Sequence, residues 1–357
     1  MKNKNIIIAA SGTGGHIYPG IALAQELKEK KYNPVFFVSN NETSGEIIKN
    51  SGFDYVSFNL FGMPRKISFS FAVFFIKLIF AFLKALKNMF KLNPIAVIGV
   101  GGYISAPAVI AAKIYGKKTF IHEQNTIPGI ANKFLNRFAG KTFISFRDSE
   151  KYFKNKKSII FTGYPVRKEI LAVERESCCN ALNLDKNMFT LMIFGGSLGA
   201  LKLNKIAFKA IKIISEKMDI QVIHITGKKG FEEINQKIRK SANYRVFDYM
   251  HNIAQAYAAS DAVICRAGAG TVFELTFLKK PAILVPYPYA ADNHQYYNAK
   301  EAARNGMMTI IEEKDLTAEN LAGTVENIKR RLKPNIKNSV SKFPQEIMAE
   351  EIINGIS

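Results

Sequence analysis

This chain reads as an α/β protein with two doubly wound, mostly parallel sheets. Three observations predict it. Short apolar runs alternate with helically patterned stretches almost throughout the 357 residues. Glycine-rich turns follow several of those runs, where a strand would hand over to a helix. The length exceeds one ordinary core and suits two domains. Strands are expected near residues 5–10, 34–38, 54–59, 95–99, 118–121, 142–145 and 159–162, then 189–194, 220–226, 245–249, 261–265, 281–285 and 307–311. The expected division is 1–166 and 167–341, with Thr162-Gly163-Tyr164-Pro165-Val166-Arg167 as linker. A last amphipathic helix, about 342–357, is free to pack back on the first domain. Ligands of open sheets bind beyond the carboxyl ends of the strands, so the active site is expected in a cleft between the domains.

Composition narrows the function. Apolar residues make up 48% and the net charge is +21. Residues 1–166 carry 23 Lys and Arg against 8 Asp and Glu, and residues 167–357 carry 27 against 21. The first half is therefore the part that meets a polyanion, such as an anionic membrane face. No zinc-finger spacing or arginine-rich run points to nucleic acid. Cys178, Cys179 and Cys265 are odd in number and contain no CxxC pair, which suits a reducing compartment. The apolar run Ile6–Ala10 is too short for a leader and is cut off by glycine, so it reads as a first strand.

Gly12-Thr13-Gly14-Gly15-His16 follows that strand, with Pro19-Gly20 before an amphipathic helix. Its glycines let backbone approach a ligand. A neutral His16 at the helix start could take a proton from an attacking hydroxyl, or could simply cap the helix. A dinucleotide fingerprint needs a third glycine where Ile17 stands and an acid where Ser39-Asn40-Asn41 stand. No Walker-A pattern occurs.

Residues 67–91 are rich in Phe and patterned as a helix. Lys66, Lys77, Lys84 and Lys91 fall on one stripe, with Phe71, Phe74 and Phe75 around the rest. The uninterrupted apolar length falls short of a bilayer span. The pattern predicts a helix lying in a membrane interface, with Phe71, Phe74, Phe75, Lys77 and Lys84 in contact; a core-facing helix with a solvated lysine stripe is the alternative. Gly101, Gly102 and Tyr103 form another strand–glycine–helix junction in this basic half, where a second phosphate-binding loop would fit. His122, Glu123, Gln124 and Asn125 close the next strand, and Glu123 rivals His16 as general base.

In the second half, Gly195-Gly196-Ser197-Leu198-Gly199 is one more anion-friendly turn. The densest stretch runs from Val263 to Asn298. A strand ends at Cys265, and Gly268-Ala269-Gly270-Thr271 opens a helix. The first N–H groups of a helix lack intrahelical partners and carry partial positive charge, so they suit a diphosphate. Glu274, one turn on, could accept from the two hydroxyls of a ribose. Asp292-Asn293-His294-Gln295 and Asn298 offer amide groups for sugar hydroxyls. Diphosphate, ribose and sugar together describe a nucleotide-sugar donor. No D-x-D or paired-histidine motif is present, so no protein-bound metal and no cofactor are expected.

These motifs, in this order and at these spacings, resemble the MurG family of bacterial peptidoglycan glycosyltransferases. The motifs are Gly12-Thr13-Gly14-Gly15-His16 with Pro19-Gly20, Gly101-Gly102-Tyr103, His122-Glu123-Gln124-Asn125 and Gly163-Tyr164-Pro165-Val166-Arg167. Gly195-Gly196-Ser197-x-Gly199, Cys265-Arg266-Ala267-Gly268-Ala269 and Asp292-Asn293-His294-Gln295 continue them. The resemblance implies a GT-B fold of two Rossmann-like domains facing a cleft. It implies UDP-N-acetylglucosamine bound by the second domain, and the membrane-borne acceptor lipid I, a polyprenyl diphosphate, bound by the first. Ala269, Gly270, Thr271 and Glu274 would then hold diphosphate and ribose, and Met250 would meet uracil through its backbone. Ser197 and Arg167 would line the donor site, and Gln295 and Asn298 would hold the sugar. Thr13, Gly14, Gly15 and Asn125 would close over the donor from the other side. Inverting transfer to the C4 hydroxyl of N-acetylmuramic acid, at the cytoplasmic face of the membrane, is the implied reaction. Leu198 and Gly270 depart from common family residues; neither removes a backbone N–H. A diacylglycerol glucosyltransferase, an epimerase or a non-catalytic UDP-sugar-binding scaffold are the alternatives.

Overall fold

The computed structural model describes residues 4–12, 14–40, 42–60, 62, 69–196, 199–238, 243–304, 306–332 and 342–356. Strands form at Asn5–Ala10 (β1), Asn33–Ser39 (β2), Asp54–Phe58 (β3), Ala96–Gly101 (β4), Lys118–Glu123 (β5), Lys141–Ile144 (β6) and Ile159–Phe161 (β7). They continue at Thr190–Phe194 (β8), Gln221–Ile225 (β9), Tyr244–Phe247 (β10), Ala262–Cys265 (β11), Ala282–Leu284 (β12) and Met308–Ile310 (β13). Each falls where a strand is expected, and the two-sheet α/β class is borne out. One sheet has the order β3-β2-β1-β4-β5-β6-β7, the other β10-β9-β8-β11-β12-β13. The pairs are parallel throughout, from Asn5 opposite Asn33 in β1–β2 to Ala262 opposite Leu191 in β11–β8.

Two compact units result, Met1–Arg167 with Val340–Ser357, and Lys168–Ser339. Arg167 thus lies in the first unit, one residue beyond the expected division. The first sheet is apolar on both faces because its strand residues alternate between two cores. Ile6, Ile8 and Ala10 pack with Ile17, Ile21 and Leu27 of the helix Gly14–Glu29 and with Met348 and Ile352 of the helix Pro344–Ile356. Ile7 and Ala9 face the other way, toward Phe74, Ala81, Ala85 and Met89 of the helix Phe69–Leu92 and Ala108 and Ala112 of the helix Ser105–Ile114. The last helix is tied to this unit by Gln345, which donates to the Val166 carbonyl at 2.9 Å and accepts from the Val166 N–H at 3.2 Å. In the second unit, Leu191, Ile193, Ile264 and Ile283 pack against the helices Leu201–Ser215 and Ala318–Arg331.

The 67–91 prediction needs correction. Phe74 is buried and meets Tyr103 edge-on at 5.4 Å between centroids, so it is a core residue. Lys84 folds back, donating to the Ser57 carbonyl at 2.7 Å and lying over the Phe58 ring. Phe71 is half-buried against Phe75, Phe75 is exposed, and Lys77 is half-buried at the flank. The exposed apolar stripe is instead Phe75, Ile76, Ile79, Phe80, Leu83 and Phe90. By length and composition this 24-residue helix is also long and apolar enough to cross a membrane, contrary to the expectation from uninterrupted runs. Its other face belongs to the core. Lys66, Ile67 and Ser68 lie outside the described residues.

Candidate active site

In the first unit the strand order reverses between β1 and β4, the place where open sheets leave a crevice at their carboxyl ends. Ser11 and Gly12 follow β1, and Gly12 has φ +103°, which favours glycine. The helix Gly14–Glu29 starts at once and contains Pro19. Proline has no N–H for the carbonyl four residues back, that of Gly15. The Tyr164 hydroxyl donates to this carbonyl at 3.2 Å instead. His16 therefore stands in the first turn of a helix whose proline defect is repaired. Its ring lies directly on Gly101: a Cβ there would overlap the imidazole, and one at Gly102 would overlap Ser11. Gly101 and Gly102, at φ +114° and +78°, thus let the end of β4 close on the first glycine loop. Tyr103, partly exposed, meets Phe74 edge-on.

A buried polar chain runs beneath His16. His16 Nδ1 is 3.2 Å from Gln124 Oε1, and Gln124 Nε2 is 3.2 Å from His122 Nδ1. Gln124 Nε2 also donates to the Val100 carbonyl. His122 Nε2 is 2.9 Å from Ser145 Oγ, which donates to the Gly163 carbonyl at 3.5 Å. Burial holds the His122 imidazole down to about 3, so it is neutral. Glu123 is buried as well, and burial pushes its carboxyl up. Four N–H donors converge on it: the Asn125 backbone at 2.8 Å and side chain at 3.4 Å, Gly129 at 3.1 Å and Asn132 at 2.8 Å. Glu123 thereby shapes the 125–132 turn and presents Asn125, and both its oxygens are engaged in that work. Arg167 stacks on Tyr18 at 4.3 Å, in the first unit. Gly14 is partly buried and Gly15 exposed. Thr13 lies outside the described residues.

In the second unit the reversal falls between β8 and β11. After β8, a Cβ at Gly195 would overlap the Ala200 backbone and one at Gly199 the Thr226 carbonyl, so the loop passes very close to its neighbours. Ser197 and Leu198 lie outside the described residues. After β11, Gly268 caps the helix Ala269–Phe277 with extended backbone. Val272 makes the first intrahelical bond, to Gly268, so the N–H groups of Ala269, Gly270 and Thr271 open the helix ahead of that ladder. Glu274 is buried one turn in, and the fully buried Tyr257 donates its hydroxyl to Glu274 Oε2 at 3.0 Å. Met250, half-buried, follows β10.

Two sugar candidates separate here. Gln295 is half-buried and accepts from the Tyr287 N–H at 3.0 Å. Asn298 is fully buried and donates to the Ala267 carbonyl at 3.4 Å, tying the helix His294–Ala303 to the glycine loop. Asp292 and Asn293 enter that helix at φ +49° and +51°, a left-handed pair such residues tolerate best. Arg266 and Tyr257 were assigned no role from sequence. Arg266 is buried, donates to the Val285 and Pro286 carbonyls at 3.2 Å and pairs with Glu313 at 2.5 Å. It thus pins the ends of β11 and β12 together under the site. A lone arginine directly after an apolar strand was the available signal. Tyr257 gave none, because an aromatic on a helix normally reads as core.

Residues 6–144 match the glycosyltransferase family 28 N-terminal domain, and residues 190–351 match the C-terminal domain of that family. The UDP-N-acetylglucosamine–N-acetylmuramyl-(pentapeptide) pyrophosphoryl-undecaprenol N-acetylglucosamine transferase of Desulforamulus reducens is 36% identical, over 98% of this chain and 96% of that one. The protein of the same name from Caldanaerobacter subterraneus is 38% identical, over 90% and 89%. The crystal structure of Acinetobacter baumannii MurG superposes with a TM-score of 0.70 at 27% identity, covering 91% of each chain. A UDP-GlcNAc 2-epimerase from Neisseria meningitidis reaches the same TM-score at 12% identity, and there the likeness is of fold alone. The chain belongs to glycosyltransferase family 28 and, within it, to the MurG family.

Proposed function

We propose that this chain transfers N-acetylglucosamine from UDP-N-acetylglucosamine to lipid I, giving lipid II for peptidoglycan synthesis. The end-to-end likeness to the D. reducens transferase carries this reading. The site geometry is compatible with it. The second unit holds the donor: the N–H groups of Ala269, Gly270 and Thr271 receive the diphosphate and Glu274 the ribose, with Met250, Ser197 and Gln295 completing the pocket and Asn298 holding the glycine loop to the next helix. The first unit supplies Gly101, Gly102 and Tyr103 for the acceptor diphosphate, and Thr13, Gly14, Gly15, Asn125 and Arg167 on the donor side. The acceptor C4 hydroxyl attacks C1 of the sugar as its proton passes to His16. The C1–O bond to UDP breaks, inverting the centre, and the leaving diphosphate keeps its charge on the helix N-terminus. The exposed stripe Ile76, Ile79, Phe80, Leu83 and the basic first half support a peripheral position on the cytoplasmic membrane face, where lipid I resides.

The test is transfer of radiolabelled N-acetylglucosamine from its UDP donor to a short-chain lipid I analogue, with diacylglycerol in parallel. Label on the lipid I analogue alone is expected. Label on diacylglycerol alone would replace the acceptor assignment.

A further inference from the structure

We infer that Gln124 is a positioning residue that sets the tautomer of His16, placing the basic lone pair on Nε2. The inference deepens the proposed function and rests on His16 as base.

The Val100 carbonyl can only accept, so the side-chain nitrogen of Gln124 is the atom facing it. The same nitrogen faces His122 Nδ1 at 3.2 Å and the His122 carbonyl at 3.4 Å, and its second hydrogen goes to the nearer, Nδ1, with the carbonyl sharing it. His122 Nδ1 is then an acceptor, and this neutral ring carries its proton on Nε2, where Ser145 Oγ lies at 2.9 Å. Ser145 passes its own hydrogen to Gly163. The nitrogen of Gln124 thus faces only acceptors, and its amide has one orientation. Flipping it would set its oxygen against the Val100 carbonyl in a site where Gln124 is 2% exposed. Its oxygen therefore faces His16 Nδ1 at 3.2 Å, a contact that is favourable only when Nδ1 carries hydrogen. A neutral imidazole has one N–H, so the lone pair sits on Nε2.

The consequence is specific to an amide. A carboxylate in this place would also hold Nδ1–H, but would raise the imidazole pKa and favour the charged, inactive ring near neutral pH. The neutral amide fixes the tautomer with no such charge, and still accepts from Nδ1–H when His16 receives the substrate proton. Gly101 completes the device, since only a residue without Cβ leaves room for the ring in this pose.

The experiment is nitrogen NMR of imidazole-labelled full-length protein, with kinetics on the lipid I analogue. In the parent, His16 is expected as the Nδ1–H tautomer at pH above its titration. Nδ1 found unprotonated there would overturn the inference, with no variant needed. Gln124→Met keeps the volume and removes the acceptor. It is expected to shift His16 toward Nε2–H and to lower kcat about 10- to 100-fold, less than the roughly 10²–10⁴ of losing a base, with donor KM unchanged. An unmoved tautomer and parental kcat in a folded Gln124→Met protein would refute it. His16→Ala runs alongside. If that variant keeps full kcat, the base assignment falls and takes this inference with it. If it is inactive while Gln124→Met is not, only the positioning role falls.

Discussion

In the first unit the loops after β1 and β4 close over a side chain, His16, seated on Gly101 and backed by a buried amide and imidazole. In the second unit the loops after β8 and β11, which stand at the same places in the strand order, offer backbone instead. Three N–H groups open the helix Ala269–Phe277, with Glu274 below them. Both units place a glycine turn and a helix start at the reversal of strand order. The difference is what fills the first turn. One first turn carries an imidazole, the proposed base, whereas the other carries small residues, the proposed diphosphate site. The supports differ in kind as well. His16 rests on a chain in which each group fixes the next, while Glu274 rests on Tyr257 and its loop on Arg266.

Breaking the first unit's side of this comparison gives the largest effect. His16→Ala is expected to lower kcat about 10²- to 10⁴-fold, with the protein folded and UDP still bound, as calorimetry would show. Breaking the second unit's side acts on binding. Glu274→Ala is expected to weaken donor affinity by about 1–3 kcal/mol, the usual worth of hydrogen bonds to a charged acceptor. Tyr257→Phe removes only the hydroxyl beneath that carboxylate and is expected to cost about 0.5–1.5 kcal/mol of the same affinity. Titration of each variant with UDP-N-acetylglucosamine checks both, and a Tyr257→Phe loss equal to that of Glu274→Ala would show that the phenol does more than position.

Acid separates the units next. His122 and His224 are both buried and held down to about 3. An unfolded imidazole titrates near 6.5, so below that pH the unfolded chain binds more protons. Stability is full above 6.5 and declines toward pH 3, with a slope of about 1.4 kcal/mol per pH unit for each such imidazole. Glu123 works in the opposite sense, because its carboxyl is pushed up and folding then favours its protonated form. The second unit is therefore expected to show the steeper decline, read from urea unfolding between pH 4.5 and 7 with probes in each unit. Equal slopes would mean that Glu123 stays ionised in its cradle of N–H groups.

The smallest effect is at the surface. Ile79→Ser with Phe80→Ser is expected to reduce co-sedimentation with anionic vesicles and leave unfolding stability nearly unchanged. Phe74→Ser is expected to destabilise the first unit, because Phe74 packs on Tyr103. Vesicle binding equal to the parent in the double variant would remove the helix from the membrane account.

Much of this was legible in the residues. Strands covered on both faces are continuous apolar runs ended by glycine, so Ile6–Ala10 and Val263–Cys265 announce themselves. The helix start after the second glycine loop is equally visible, which located Ala269; the first helix was expected beyond Pro19-Gly20 but begins at Gly14 and takes Pro19 inside it. The phase of the helix Phe69–Leu92 was not legible, because Phe occurs on both its packed and its exposed face. That ambiguity put Phe74 on the wrong side and left Lys84's bond to Ser57 unforeseen. Asn298 reads as a sugar ligand by its spacing, yet it points at Ala267. The chain from His16 to Ser145 joins residues from β1, β5 and β6 ends, and only the parallel register brings them together.

The most direct test of the division between the two sites is steady-state kinetics of His16→Ala and Glu274→Ala in one lipid I transfer assay. The account predicts a crossed result: kcat falls in His16→Ala at unchanged donor KM, while donor KM rises more than kcat falls in Glu274→Ala. A rise in donor KM confined to His16→Ala, or an unchanged donor KM in Glu274→Ala, would contradict it.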